Sequence, residues 1–586
     1  MMVLVIFLHA LRGNARLAVE GLYWLMTRRR VRGWNMLYRA AMASSGYYTM
    51  WTRYSEPRIF QEICGRENAF SPRQSPQQIH AIILTDPDQG GPNDDKATSD
   101  SLRRALGAAV TIHIVENRSN NGGGATPSRP DSIINHWLAA IPGIPHESWL
   151  LPVFAGDRLS PHLAQAIDHA IGEAGETGII YWDEDQWDAD RRRAPFLKPD
   201  WDDLLYLSRD ILAGASMIRM DVAVQAAVRL SPQEMSTPAV CAMLLVAAST
   251  SGSPPPYHFP MILVHRSSTR KANDSSARKA MIEGLWPQPV TMIQHPSLSP
   301  FLSAQFPLPT VPPSVSVVIA TRDRVNLLKC CVDGVLATTY PGEIEIIIVD
   351  NDSVEPETLA YFEDLGQKNT ATVMRYPGIF NYSAINNFAV EAATGEFILL
   401  LNNDIEMLEP EWLSSMMAHA ARPDVGAVGA LLLYPDSSIQ HAGVAIGVGN
   451  AAGHVHRKIP LDASGHQGMH RTTRRVSAAT AACLLVRRDD FLAVGGLEDE
   501  TFKVAFNDVD LCLKLARAGL RNIFVAEAIL IHHESQSRGD DMLKENFARY
   551  SQELASLQEK WSTAHVNDPY HHHLWLRSSE QCVLRP

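Results

Sequence analysis

From residue 314 onward, short apolar runs alternate with amphipathic stretches in a regular order. Ser316-Val-Val-Ile-Ala320, Ile344-Glu-Ile-Ile-Ile-Val349 and Phe397-Ile-Leu-Leu-Leu401 have the length and continuity of buried strands. The spacing between them predicts helices over residues 327–337, 356–365 and 383–393, with a short strand over 371–375. In the third helix Ile385, Phe388, Ala389 and Ala392 recur at i, i+3, i+4 and i+7, and Gly395 stands where a C-terminal cap belongs. Strands that are apolar on both faces and separated by helices predict an α/β layer fold around a mostly parallel sheet. Such a sheet binds its ligands beyond the carboxyl ends of its strands.

A looser version of this rhythm runs over residues 79–268, in His80-Ala-Ile-Ile-Leu84, Val110-Thr-Ile-His-Ile-Val115, Trp149-Leu-Leu-Pro-Val153 and Ile179-Ile-Tyr181. Eight prolines then fall within residues 286–313, a density that resists helix and central strand. At 586 residues the chain exceeds what one hydrophobic core organises. The predicted organisation is a basic N-terminal segment (1–60), a first α/β domain (61–285), a linker or surface strap (286–313), a second α/β domain (314–560) and a tail (561–586).

Composition narrows the function classes. A formal net charge of -12 argues against a nucleic-acid partner, which needs a basic face. The exception is residues 1–60, where nine arginines stand against two glutamates. With Trp24, Leu25, Trp34, Leu37 and Tyr38 among those arginines, residues 22–48 suit either an interfacial amphipathic helix or a helix packed on its own domain. The apolar opening, residues 1–8, is too short to span a bilayer and lacks the charged start of a signal peptide. The sequence therefore predicts a cytoplasmic protein that rests at most on the inner face of the cell membrane, through residues 1–60. Seven cysteines without CxxC spacing predict reduced thiols rather than a disulfide framework or a zinc knuckle.

Polar residues gather at the ends of the predicted strands of the second domain: Thr321-Arg322-Asp323, Asp350-Asn351-Asp352 and Asn402-Asn403-Asp404. One polar strand end is a cap, whereas three in one sheet converge on a shared crevice. Neither a G-x-G-x-x-G after the first strand nor a G-x-x-x-x-G-K-[ST] is present. A nucleotide would then be held by carboxylates and a cation, and oxygen ligands suit Mg²⁺ or Mn²⁺.

Between residues 314 and 539 these strand ends are joined, in order, by Asn381-Tyr-Ser-Ala-Ile-Asn-Asn387, Ala393-Thr-Gly-Glu396, Gly495-Gly-Leu497, Phe506-Asn-Asp-Val-Asp-Leu-Cys-Leu-Lys514 and His532-His-Glu-Ser-Gln-Ser-Arg-Gly539. Together they resemble the family 2 glycosyltransferases, in particular bacterial ones that build O-antigen and other surface polysaccharides. The resemblance implies a GT-A fold and an inverting transfer from a nucleoside diphosphate sugar to a glycan or lipid-linked glycan acceptor, with Mn²⁺ or Mg²⁺ as cofactor. It implies that Asp350 recognises the nucleobase, with Thr321, Asp323 and Asp352 around it, and that Asn386, Asn402 and Asn403 belong to the donor site. Ser537 and Arg538 would fold over the diphosphate. Asp404 would bind the metal, in a motif whose first aspartate is here Asn402. His532 would be its partner, with His533 as competitor because neighbours in a strand point opposite ways. Asp508 would take the proton of the acceptor hydroxyl, its usual acidic predecessor replaced by Asn507. Asp510 would either join it or serve as a first-turn charge favoured by the helix dipole.

Residues 179–216 resemble the same family, in Ile179-Ile-Tyr-Trp-Asp-Glu-Asp185 and Pro195-Phe-Leu-Lys-Pro-Asp-Trp201, so the chain reads as a tandem. In this first copy the metal motif is reduced to Val153-Phe-Ala-Gly-Asp-Arg158, with Asp157 its one acid, and Glu234 is the sole acid where the base belongs. A degenerate, non-catalytic copy is expected. Two other classes stay open: an inactive glycan-binding or scaffold protein, for which Asn402 and Asn507 speak, and a two-carboxylate glycoside hydrolase, which needs no nucleotide. Gly443, Gly447, Gly449 and Gly453, interleaved with His441, His454 and His456, form either an acceptor loop or a structural turn. His571-His-His573 reads as part of a solvated tail.

Overall fold

The computed structural model describes residues 2–65, 78–85, 93–116, 147–188, 191–230, 237–250, 252–268, 275–533 and 544–586. It divides into two compact units, Met1–Ala304 with Val583–Pro586, and Gln305–Cys582. Among the described residues no helix is long and apolar enough to cross a membrane.

The first unit opens on helices, and the single helix expected over residues 22–48 is instead two, Ala15–Met26 and Arg30–Met42. They meet at Gly21 and Gly33, where a Cβ on Gly21 would lie 3.0 Å from Gly33 O and from the Leu37 side chain, so a larger residue would force them apart. Leu37, Tyr47 and Trp51 are buried, whereas Val3, Leu4, Val19, Tyr23, Met26 and Val31 are exposed beside exposed Arg12, Arg16, Arg28, Arg29 and Arg30.

Beyond these helices lies a sheet whose strands run, in spatial order, Val110–Glu116, Ile79–Thr85, Trp149–Phe154, Ser216–Arg219, Ile179–Asp188, Tyr257–Ser267 and Arg158–Leu159. The first three are parallel; Ser216–Arg219 runs against both its neighbours, Ile179–Asp188 and Tyr257–Ser267 are parallel, and Arg158–Leu159 closes the edge antiparallel.

The second unit builds the same order. From the edge strand Thr372–Arg375 it runs Ile344–Asp350, Val315–Thr321, Phe397–Asn402, Cys483–Arg487, Val425–Leu433, Arg521–His532 and Ile405–Met407, with the same parallel and antiparallel senses throughout. Every residue of Val425–Leu433 is buried, and all but the last residue of Phe397–Asn402, because helices cover the sheet on both faces. The predicted elements appear within a residue or two, as Val325–Leu336, Pro356–Gln367 and Tyr382–Ala392. Cys483–Arg487 and Ile405–Met407 run against the rest, as do the flanking strands Ile439–His441 and Arg474–Val476, so the sheet is mixed.

Two further expectations need correction. The proline-rich stretch carries two paired strands, Thr291–Gln294 and Leu302–Gln305, so it is folded rather than a bare strap. Residues 561–586 are no solvated tail: His572, Leu574, Trp575 and Leu584 are buried, and burial pushes the His571 imidazole down to about 3. The glycine-rich stretch is a hairpin, Val444–Ile446 with Ala452–His454, turned through Gly447 and Gly449 at positive φ.

Candidate active site

The parallel strands deliver their polar ends side by side. Thr321 and Asp350 are register partners at the ends of neighbouring strands, and Asn402 ends the strand on the other side. Asn403 Nδ2 donates to Thr321 Oγ1 at 2.9 Å, tying the third strand end to the first. Asp350 is buried, and its Oδ1 accepts from Ser353 N at 2.8 Å.

Asp404 and His532 come together because the edge strand Ile405–Met407 pairs with Arg521–His532, setting Ile405 opposite His532. His532 Nε2 lies 3.1 Å from Asp404 Oδ1, a buried oxygen that accepts no hydrogen bond. On its other side His532 Nδ1 lies 2.7 Å from Gln440 Oε1. A ring hydrogen on Nδ1 would point at that oxygen, which sets Nε2 on the side of the carboxylate, 3.3 Å from Asn402 Nδ2. A carboxylate oxygen without a donor, faced by an imidazole lone pair, is a pair that a divalent cation satisfies. His533 turns the other way, its Nε2 2.9 Å from Glu406 Oε2.

Asp508 opens the helix Asn507–Arg517, preceded by Phe506 in the left-handed region at φ 64°. Its Oδ2 accepts from Ala481 N at 3.1 Å and its Oδ1 from Val509 N at 2.8 Å. Burial pushes its carboxyl above the usual aspartate range, and these backbone donors only partly oppose that. One segment links Asp508 to the end of the Phe397–Asn402 strand: Ala481 N bonds Asp508, and the adjacent Ala482 O accepts from Asn402 N at 3.0 Å. Tyr382 Oη fixes that segment by donating to Ala481 O at 2.9 Å.

Other residues singled out from the sequence are engaged elsewhere. Asp323 Oδ1 accepts from Val354 N and Glu355 N, holding the loop before Pro356–Gln367. Asp352, at positive φ, accepts from Gly378 N at 2.9 Å and Arg375 Nη2 at 3.3 Å. Asn386 is buried, and its amide donates to Tyr382 O one turn back in its own helix. Asp510 is fully buried, with Lys560 Nζ at 2.7 Å and Trp561 Nε1 donating at 2.8 Å. Ser537 and Arg538 lie outside the described residues. Gln440 and Tyr382 escaped the sequence reading: a glutamine in a three-residue strand carries no pattern that marks it.

Residues 316–492 match the family model of glycosyl transferase family 2. The chain is 44% identical over 276 residues to an uncharacterized protein, y4gI, of Sinorhizobium fredii, covering 47% of this chain and 30% of that one. It is 35% identical over 446 residues to the O-antigen biosynthesis protein RfbC of Myxococcus xanthus, covering 74% of this chain and 34% of that protein. It is 25% identical over 254 residues to an N-acetylglucosaminyl-diphospho-decaprenol L-rhamnosyltransferase of Mycobacterium tuberculosis, covering 39% of this chain and 78% of the relative. The chain thus spans about a third of the length of the first two curated relatives. The similarity to glycosyl transferase family 2 thus falls on residues 316–492, which lie within the mixed sheet and helices of the second unit.

Proposed function

We propose that the second unit transfers a sugar, with inversion, from a nucleoside diphosphate sugar to a hydroxyl of a glycan or lipid-linked glycan, in bacterial surface polysaccharide synthesis. The reading is carried by one observation: Ala481 bonds the Asp508 carboxylate while its neighbour Ala482 bonds Asn402, whose side chain lies 3.3 Å from His532 beside Asp404. A divalent cation, Mn²⁺ or Mg²⁺, held by Asp404 and His532, would neutralise charge on the departing diphosphate. Asp508 takes the proton of the acceptor hydroxyl as its oxygen attacks the anomeric carbon from the face opposite the leaving group, and a carboxyl with a raised pKa suits that task. Asp350 recognises the nucleobase at its strand end, with Thr321 beside it. The first unit does no chemistry and holds acceptor or partner.

Thermal unfolding in the presence of nucleoside diphosphate sugars tests the donor assignment. One donor should raise the melting temperature in Mn²⁺ and not in its absence. Indifference to every donor, with no metal-dependent donor hydrolysis, would favour the inactive glycan-binding alternative.

Residues 1–60 extend the proposal to an anionic membrane surface, since exposed Val3, Leu4, Val19 and Met26 share the opening helices with exposed arginines. Arg32 also stacks on the Trp24 ring at 4.0 Å. Sedimentation with phosphatidylglycerol vesicles should carry the protein down, and Arg28→Glu with Arg29→Glu and Arg30→Glu should release it, each lost arginine being worth about 1 kcal/mol near such a surface. Equal sedimentation of the triple variant would rule this contact out.

A further inference from the structure

The two sheets correspond strand by strand, and the correspondence extends to single residues. Thr85 pairs with Glu116 where Thr321 pairs with Asp350, and Trp149 pairs with Arg219 where Phe397 pairs with Arg487. At the far edge Arg158 pairs with His265 as Ile405 pairs with His532. The residue before each edge strand is an aspartate, Asp157 in the first unit and Asp404 in the second. Asp157 and His265 therefore occupy the places of Asp404 and His532.

Their surroundings are opposite. Asp404 Oδ1 is buried without a donor, whereas both oxygens of fully buried Asp157 are taken: Oδ1 accepts from Ser267 N at 2.9 Å and Oδ2 from Arg266 Nη1 at 2.9 Å. The other guanidinium nitrogen of Arg266 donates to Glu184 Oε2 at 2.8 Å and to Ala213 O at 2.6 Å. Lys198 Nζ lies 2.9 Å from the same Glu184 oxygen, so two fixed cations balance two carboxylates. Burial pushes the Glu184 carboxyl up, yet Arg266 and Lys198 together outweigh it and hold it well below the usual range. His265 has turned away, its Nδ1 2.7 Å from Asp185 Oδ1. A planar guanidinium bridging two carboxylates by parallel donors is a rigid substitute for a coordinating ion.

We infer that Arg266 stands permanently in the cation's place in the first unit, so that the Asp157–Glu184 site binds no divalent metal, whereas the Asp404–His532 site of the second unit takes one. A hydrated dication approaching Asp157 and Glu184 would meet two positive charges already bonded there, and neither can leave, being part of the chain. The single metal of the second unit rests on the Asp404–His532 reading above, whereas the state of the first unit does not.

Counting Mn²⁺ bound to the full chain, by the loss of the free-ion signal in electron paramagnetic resonance, tests this. Wild type should bind one ion and Asp404→Ala none. Asp404→Ala with Arg266→Ala should regain one, now at Asp157 and Glu184, while Asp404→Ala with Arg266→Lys, which keeps the charge, should bind none. An ion retained in Asp404→Ala and lost on further Asp157→Asn substitution would overturn the inference. So would a cooperatively folding Asp404→Ala, Arg266→Ala chain that binds nothing. Should the double variant fail to fold, the count in Asp404→Ala alone still decides whether the first unit holds metal. If wild type itself binds no ion, the reading of the second unit fails, while the gain on removing Arg266 still reports on the first.

Discussion

Asp508→Asn should lower kcat about 10²–10⁴-fold, the usual worth of a positioned base, with the donor KM nearly unchanged. Its effect on stability should be small and separates chemistry from folding. The folded carboxyl sits above its unfolded value, so ionising it costs the folded state. That cost is absent below the unfolded pKa, grows as pH rises through the raised folded one, and is complete above it. Asparagine removes the cost at neutral pH but offers one acceptor oxygen where Ala481 N, Val509 N and the Thr480 side chain bond the carboxylate, losing about 1 kcal/mol. The two effects offset. A pH profile of kcat/KM should show an acid limb above the ordinary aspartate range in wild type and none in the variant. A variant with wild-type turnover would remove Asp508 from the mechanism.

Asp404→Ala should abolish metal-dependent donor hydrolysis and, with it, the rise in melting temperature produced by Mn²⁺. At a cation concentration a hundredfold above Kd, wild type should gain about 2.7 kcal/mol, or about 5–10 °C for a unit of this size. Without metal the variant should melt no lower than wild type, because the alanine deletes a buried oxygen that has no donor to lose. A full Mn²⁺ shift surviving in the variant would place the cation elsewhere.

What could be read from the sequence followed the length of the apolar runs. Val315–Thr321, Ile344–Asp350 and Phe397–Asn402 are parallel strands covered on both sides, so their patterns are continuous and their polar ends are conspicuous. Ile405–Met407 has three residues, too few for any period, and its partner lies more than a hundred residues later, so nothing local announced that it would carry Asp404 to His532. Residue type alone also failed to say where a side chain spends its hydrogen bonds. Asp323 holds a loop and Asn386 its own helix, as tertiary geometry decides. The tandem was legible only near residues 179–201, because strand pairing tolerates wide substitution while its register does not.

Asn507, one of the two departures that spoke for an inactive protein, takes on another sense beside Asp510. Its Nδ2 donates to Val504 O at 3.1 Å, and the residue itself is buried. An acid at 507 would turn its lone pairs toward that carbonyl and crowd a third negative charge into a turn that already holds Asp508 and a buried Asp510. The amide instead relieves like-charge crowding where Asp510 anchors Lys560 and Trp561. Asparagine here is an accommodation between neighbours.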